Sequence, residues 1–460
     1  MLEQDERRDE LLEKIEDLIS RKRYAELRDL LLPLEAQDIA GLFMELDDKV
    51  PMVFRLLPKE QAAEVFVELD SEEQEILIQS FSNTELKEVL DELYLDDAVD
   101  IVEEMPANVV KRILRHADPD VRKSINEILK YPDDCAGSIM TTEYVDLKAT
   151  MTVEAALKRI RRTGPDKETI NICYVIDEGR HLLGYLSIRT ILLSEEDDII
   201  GDIMDTHVIS ANTLDDQEDV AQILNKYDFL ALPIVDTENR LVGIVTVDDA
   251  MDVMEEEATE DFERMAAILP TDKPYLRTGV FETVKSRLPW LLLLMLSATL
   301  SGIVINSFEE SLATYSVLIG FIPMLTGTGG NSGSQSSVAV IRSLSLNEID
   351  FGDLCSVVWK ESRVAVVCGV LLACANFVKL LVVDRWLLQN LDVTIPVALV
   401  ICLTLVCTVF CAKVVGCMLP LLAEKIGLDP AVMASPFIST IVDVMSLLIY
   451  FAFASLILGL

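Results

Sequence analysis

Hydrophobic and polar positions change period along this chain, and each change marks a new kind of element. The chain opens on an amphipathic helix with Leu11, Leu12, Ile15, Leu18 and Ile19 on one side. Leu57, Leu69, Phe81, Leu93, Met105 and Ala117 then recur at intervals of twelve. Several are followed by a helix-start residue: Pro58, Asp70, Ser82, Pro106 and Asp118. Each unit reads as a helix of about two turns with one apolar stripe. Since no such unit buries its stripe alone, residues 1–131 are expected to stack into an all-α superhelix.

From about residue 137 the period shortens to that of strands. CYVIDEGRHLLGYLSIRT, from Cys173, aligns with LPIVDTENRLVGIVTVDD, from Leu232, at an offset of 59, matching Asp177 to Asp236, Gly184 to Gly243 and Ser187 to Thr246. Each copy predicts two strands around a polar turn, then a helix, with an amphipathic helix ahead of the pair. This α/β repeat resembles a tandem pair of CBS domains, at 137–200 and 201–253. A helix over 249–275 follows, with Met251, Met254, Ala258, Phe262 and Met265 as its stripe and Asp249, Asp252, Glu255, Glu256, Glu257, Glu260 and Asp261 opposite. Carboxylates at three- and four-residue spacing repel one another, and divalent ions bridging them would relieve that repulsion.

Residues 286–460 are of another kind. Apolar runs at 288–308, 311–341, 364–383, 393–422 and 431–460 predict five spans, at about twenty apolar residues each. The second contains TGTGGNSGSQSS, too polar to face lipid, so it should line a cavity or sit at the membrane edge. Lys379, near a span end, reads as a snorkelling side chain. The fold class expected is therefore a multidomain membrane protein: an all-α superhelical domain, a CBS pair, a connecting helix and a five-helix transmembrane domain.

Charge sharpens the division. The chain has 78 acidic and 39 basic side chains, net -39, yet a mean hydropathy of +0.33. From Leu288 onward there are 11 acidic and 7 basic residues, which leaves a net of -35 on the first 287. So negative a field argues against nucleic acid as a partner and for metal cations or basic partners. Seven of the nine cysteines lie after Leu288, no CxxC occurs, and His116, His181 and His207 are the only histidines; a zinc site has no support. The charged start, MLEQDERRDELLEK, lacks the apolar core of a leader, so the soluble half is expected in the cytoplasm. Near the span ends, Lys273, Arg277, Lys285, Arg287, Arg342, Lys360, Arg363, Lys413 and Lys425 fall on one side and Lys379 and Arg385 on the other. That asymmetry puts the N-terminus inside and the C-terminus outside.

Within residues 431–460 one charge stands, Asp443. A carboxylate at that depth costs about 2.5–3.5 kcal/mol on insertion scales and marks a site that meets a cation or water. An intramembrane aspartyl protease would need a second such residue, and no other Asp lies at depth; no enzyme is expected. A proton-coupled carrier for divalent cations is the competing reading.

In this order, the acidic superhelix, the CBS-like pair, GTGGNSGSQS after Pro323, and LDPAVMASPFISTIVDVMSLLIY from Leu428 to Tyr450 resemble the MgtE family of magnesium channels over nearly the full length. The resemblance implies a homodimer in the cell membrane with a pore on its two-fold axis. It implies Mg2+ as both substrate and regulatory ligand. Asp443 would bind hydrated Mg2+, with Ser439 beside it and Asp429 at the cytoplasmic mouth. Gly329, Gly330, Asn331, Ser435 and Thr440 would line the pore. The positions matching the cytosolic sensor are Glu64, Asp96 and Asp100 in the superhelix; Gly137, Asp216, Glu218 and Asp228 in the CBS pair; and Asp249, Asp252, Glu257, Glu260 and Asp261 on the connecting "plug" helix. Some members bind ATP. Arg189, Phe229, Thr246 and Asp249 match nucleotide positions, but Ile172 stands where an aromatic belongs and Thr190 where an Asp belongs, so ATP regulation is not carried over. Ser435 and Ser439 replace an Asn and an Ala frequent in the family.

Overall fold

The computed structural model describes residues 2–46, 49–271, 275, 278–433 and 435–459. They form two compact units, Met1–Met254 and Glu255–Leu460.

The first unit begins with helix Leu2–Ser20, which buries Ile15 and Leu18. The twelve-residue repeat is a repeat of helix starts: Pro58, Asp70, Ser82, Tyr94, Pro106 and Asp118 are each the residue before a helix. Ser82 and Glu85 form a full capping box, satisfying two of the amide groups a helix start leaves open. Helices stack on the helix two along. Phe54, Phe66 and Phe81 meet between them with ring centroids 5.4 to 6.3 Å apart. Leu69, Phe81, Met105 and Ala117 are buried, so the repeat's apolar position is the turn that enters the core.

The CBS-like half of this unit contains two three-stranded sheets. One is β1 (Val145–Leu147), β2 (Ile172–Ile176) and β3 (Leu182–Ser187); the other is β4 (Ala211–Asn212), β5 (Ala231–Val235) and β6 (Leu241–Thr246). In each, the first pair is parallel and the second antiparallel. The two modules, expected at 137–200 and 201–253, exchange short segments of chain. Thr141 exchanges backbone hydrogen bonds with Ile244 of β6, and Asp205 does the same with Tyr185 of β3. Ala136 and Met140 belong to the second sheet's core, while Ile200 and Met204 join the first's. Each module therefore borrows the segment that precedes the other. This explains the matched glycines: a Cβ on Gly184 would stand 2.6 Å from the Asp205 carbonyl, and one on Gly243 2.7 Å from that of Thr141.

The connecting helix is Val247–Met265, shorter than the 249–275 expected. Ala267, at φ 56, ends it. Its amide donates to Arg264 and that of Ile268 to Glu263, the pairing of a left-handed helix stop. Lys273 and Arg277 lie outside the described residues.

Among the described residues the second unit has five long helices. These are bundle helices one to five: Val280–Ser307, Ile322–Ser345, Leu354–Lys379, Ile395–Lys425 and Ser435–Leu458. Four stretches, Val280–Ser307, Phe351–Leu387, Ile395–Lys425 and Pro430–Leu458, are long and apolar enough to cross a membrane. Helix two is long enough, at 24 residues, but polar. It starts at Ile322, not 311, because Glu309–Thr314 and Ser316–Phe321 are separate short helices. Helix three starts ten residues before the expected 364 and continues as a π-helix, Leu380–Leu387. Lys379 does not snorkel freely: its Nζ lies 2.9 Å from Asp384 Oδ2 and 5.5 Å from the centre of the Phe321 ring. The interior of the bundle is built on Val397, Ile401, Leu405 and Val409 of helix four and Tyr450 and Phe451 of helix five.

Candidate cation path and metal centres

Small residues decide how the bundle packs. On helix two, Gly329, Gly330 and Gly333 are buried. A Cβ on Gly329 would stand 2.6 Å from Thr408 and 2.8 Å from Val442, and one on Gly330 3.2 Å from Ser439 Oγ. On helix four, a Cβ on Gly416 would fall 2.3 Å from the Gly333 carbonyl. Without lipid-excluding hydrophobic drive, helices associate through such close approaches. Within the bundle Gly329 and Gly330 thus pack helix two against helices four and five. Asn331, with Gly327 and Gln335 at four-residue steps, is exposed on the opposite face of helix two. That leaves a polar stripe on a helix otherwise surrounded by apolar ones.

Asp443 lies on helix five, half-buried, next to the residues that receive helix two. Val442 and Ser446 meet Gly329, and Ser439, one turn earlier, meets Gly330. Thr440 is held by its neighbours: its hydroxyl donates to the Pro436 carbonyl at 3.1 Å and lies 3.2 Å from Ser297 Oγ of helix one. Among the described residues nothing hydrogen-bonds or ion-pairs with the Asp443 carboxylate. A carboxyl kept neutral by hydrogen bonding within the protomer is therefore not what the structure contains. The Ser435 side chain lies outside those described.

At the start of helix five, Asp429 is already engaged. Its Oδ1 accepts from the Ala431 amide at 2.7 Å, and its other oxygen pairs with the Arg264 guanidinium of the connecting helix. Arg264 also pairs with Glu260. Burial, and then Asp429 and Glu257, push the Asp261 carboxyl up to about 6. Sequence reading passed over Arg264, which stands on a helix whose periodicity advertised only acids.

In the first unit a second group of carboxylates is packed with little cationic relief. Asp96, at 7% exposure, and Asp100 lie on the helix Leu95–Glu104 and repel Asp249 of the connecting helix. Burial is the first cause of each shift. Asp96 is raised well above the ordinary range, Asp100 to about 8 and Asp249 to about 6, where Thr246 donates to Asp249 Oδ2 at 2.5 Å. Three further carboxyls belong here that the sequence did not single out. Asp97 is raised to about 7 and Glu168 to about 8, both by burial first, and Glu143 is raised as well. Glu168 Oε2 is buried with no hydrogen-bond partner among the described residues. The helix start that carries Asp96 and Asp97 favours anions, but it does not balance so many.

Other expected sensor positions are dispersed. Gly137 donates to the Thr213 carbonyl at 2.9 Å, and Cys135 bridges Asp216, so Gly137, Asp216 and Glu218 share one corner. Asp228 ends the same helix, Gln217–Tyr227, in a left-handed turn, about 16 Å along its axis. Glu64 is exposed on the helix Lys59–Val67. Asp252, Glu257 and Glu260 all have partners. Among the described residues no three His, Cys, Asp or Glu side chains converge as a ready cage for an ion.

The nucleotide positions separate too. Phe229 lines an apolar cavity of about 40 Å³ with Ile172, Tyr174, Tyr185, Val208, Ile209, Leu230, Ala231 and Pro233. Thr190 is tied to Ser187, hydroxyl to hydroxyl, at 2.8 Å. Arg189 is exposed on the short helix Ile188–Leu193. Asp249 faces the acidic group above, so one carboxylate cannot serve both assignments at once.

A superhelix and CBS-like pair that bury carboxylates with little cationic relief, joined through an acidic helix to a bundle whose half-buried Asp443 pairs with no described residue, fit a multi-pass membrane protein for divalent cations. Residues 322–453 match the MgtE model, described as a divalent cation transporter. Residues 34–134 match the MgtE intracellular N domain, and 136–196 and 200–256 match CBS domains. The chain is 37% identical over 437 residues to a magnesium transporter MgtE of Thermus thermophilus, covering 94% of this chain and 95% of that one. It is 33% identical over 453 residues to that of Bacillus subtilis, covering 97% of each. The crystal structure of the cytosolic domain of the Mg2+ channel MgtE in complex with ATP matches with a TM-score of 0.51 at 38% identity, over 53% of this chain and 99% of that one. This chain belongs to the MgtE family.

Proposed function

We propose that the chain is a Mg2+ channel of the cell membrane, working as a homodimer and closed by Mg2+ on its cytoplasmic side. The observation that carries this reading is Asp443: an interior carboxylate of the bundle with no protein partner among the described residues. Mg2+ gives up its water reluctantly, so a pair of such carboxylates across a dimer axis would attract the hydrated ion without stripping it. The exposed polar stripe of helix two, Gly327, Asn331 and Gln335, suits a wet path or a second copy rather than lipid. The apolar face of helix one, including Leu291, Leu292 and Leu296, suits lipid.

A membrane potential, inside negative, supplies about 2.3 kcal/mol per charge per 100 mV, so about twice that for a divalent ion. No other energy source is required. The proposed orientation places the N-terminus inside and the C-terminus outside. Lys413, buried in the bundle at 6% exposure, leaves the count of flanking charges, and the remaining asymmetry points the same way.

Closure uses the acidic groups. Regulatory Mg2+ would be held, partly through water, by Asp96, Asp100 and Asp249 in one place and by Glu257, Glu260, Asp261 and Asp429 in another. The buried, mutually repelling carboxyls fit a cation of that kind. Ions that bind the closed state more tightly shift the population toward it. ATP is not assigned a role, because Ile172 and Thr190 replace the aromatic and the acid.

The test is Mg2+ uptake in a magnesium-auxotrophic host. Asp443→Ala should abolish growth at low Mg2+ while the protein still reaches the membrane; normal growth would refute the path.

A further inference from the structure

Lys413 is placed where a lysine has no easy means of support. It sits within bundle helix four, and its side chain is 7% exposed, too deep to snorkel. Its ammonium is 3.2 Å from Ser336 Oγ of helix two and 3.7 Å from Glu361 Oε2 of helix three. The Ser336 hydroxyl donates to the same Glu361 oxygen at 2.6 Å. Ser336 is 2% exposed and the Glu361 side chain 15%. One hydroxyl and one ion pair therefore join three helices in the interior.

The position of this triad gives it leverage. Ser336 is three residues after Gly333 and Lys413 three before Gly416, the two glycines at which helices two and four touch backbone to backbone. Helix two then continues to Gly329 and Gly330, which rest on Val442, Ser446 and Ser439 around Asp443. Apolar contacts between helices tolerate sliding, whereas a buried ion pair with a shared hydroxyl has one satisfied register. A helix two that lost that register would shift the surface on which Asp443 is mounted. The lysine also supplies the counter-charge of Glu361, whose side chain is 15% exposed.

We infer that Lys413, acting with Glu361 through Ser336, is a positioning residue for the cation path: a tethered ammonium that fixes helix two against helix four and thereby sets the environment of Asp443. This rests on the reading of the chain as a Mg2+ channel.

The experiment measures initial Mg2+ uptake against external Mg2+ for wild type, Lys413→Met, Glu361→Gln and the charge swap Lys413→Glu with Glu361→Lys, each normalised to protein in the membrane. Each single variant should raise the half-saturating Mg2+ concentration about tenfold, within the range of coupling seen inside one buried network. The swap should return to within about threefold of wild type. Wild-type half-saturation in the single variants overturns the inference, as does loss of maximal rate alone, which is what a purely structural role gives. If a single variant fails to accumulate, the swap decides: near-normal half-saturation supports the pairing, and a swap as impaired as the other single variant refutes it. Wild type without uptake would instead refute the channel reading, which keeps the two failures apart.

Discussion

The guanidinium of Arg264, on the connecting helix, pairs with the carboxylate of Asp429 at the entry to bundle helix five. Glu257, Glu260 and Asp261 surround it, so a protein-borne cation already stands among the acids that Mg2+ would bridge. Removing it leaves those acids to repel one another until an ion arrives. A partly exposed pair of this kind is worth about 1 kcal/mol, or about fivefold in an equilibrium. Arg264→Ala should therefore raise the cytoplasmic Mg2+ concentration needed for half-closure about fivefold. Closure at an unchanged or lower concentration would show that the arginine does not hold the helix at the mouth.

The acidic group of the first unit gives stability a definite dependence on pH. Asp97 is raised to about 7, and Asp100 and Glu168 to about 8, against about 4 for carboxyls of an unfolded chain. Between those limits the folded state binds more protons than the unfolded one, so stability falls as pH rises from about 4 to about 8. Without divalent ions the full chain in detergent should melt at lower temperature at pH 8 than at pH 5.5. Mg2+ should offset the loss, by more at the higher pH since it competes with protons. A melting temperature that rises over this window, or a Mg2+ effect that shrinks with pH, would contradict the assignment.

Asp97→Asn isolates that repulsion, because Asp97 shares the helix start with Asp96. Removing one charge should raise the Mg2+-free melting temperature by about 2–4 °C, the shift about 1 kcal/mol gives in a unit of this size. The increment caused by Mg2+ should shrink together with it. A destabilised variant that keeps the full Mg2+ increment would mean that the charge is neutralised by other means.

The glycines of helix two separate packing from path. Gly329→Ala would press a methyl group against Thr408 and Val442, whereas a Cβ on Gly327 meets nothing within 4 Å among the described residues. Overpacking costs about 1–3 kcal/mol, so Gly329→Ala should lower the yield of folded protein from membranes and Gly327→Ala should not. Equal yields would show that the close approach is absorbed elsewhere.

Much of the architecture was legible because periodicity records burial. The twelve-residue repeat became six evenly spaced helix starts, although Tyr94 carries no start signal of its own. The offset of 59 became two matching sheets. What the pattern hid is pairing across long separations. The exchange of segments between the two sheets depends on Thr141 meeting Ile244 and Asp205 meeting Tyr185, which no local period encodes. Lys413 read as a flanking charge because its partners, Ser336 and Glu361, are distant in sequence. The polar motif around Gly329 and Gly330 suggested water, and the pattern did not show that their missing side chains let helix two approach Thr408, Val442 and Ser439. Asp443 needed no partner to be noticed, since it is the one charge in its stretch.

The most direct test of the whole account is recording from inside-out membrane patches with Mg2+ as the only permeant cation, while cytoplasmic Mg2+ is stepped from low to high. Wild type should carry a Mg2+ current that closes as cytoplasmic Mg2+ rises, and Asp443→Asn should carry none at any concentration. A Mg2+ current of wild-type size through Asp443→Asn, or one in wild type indifferent to cytoplasmic Mg2+, would contradict it.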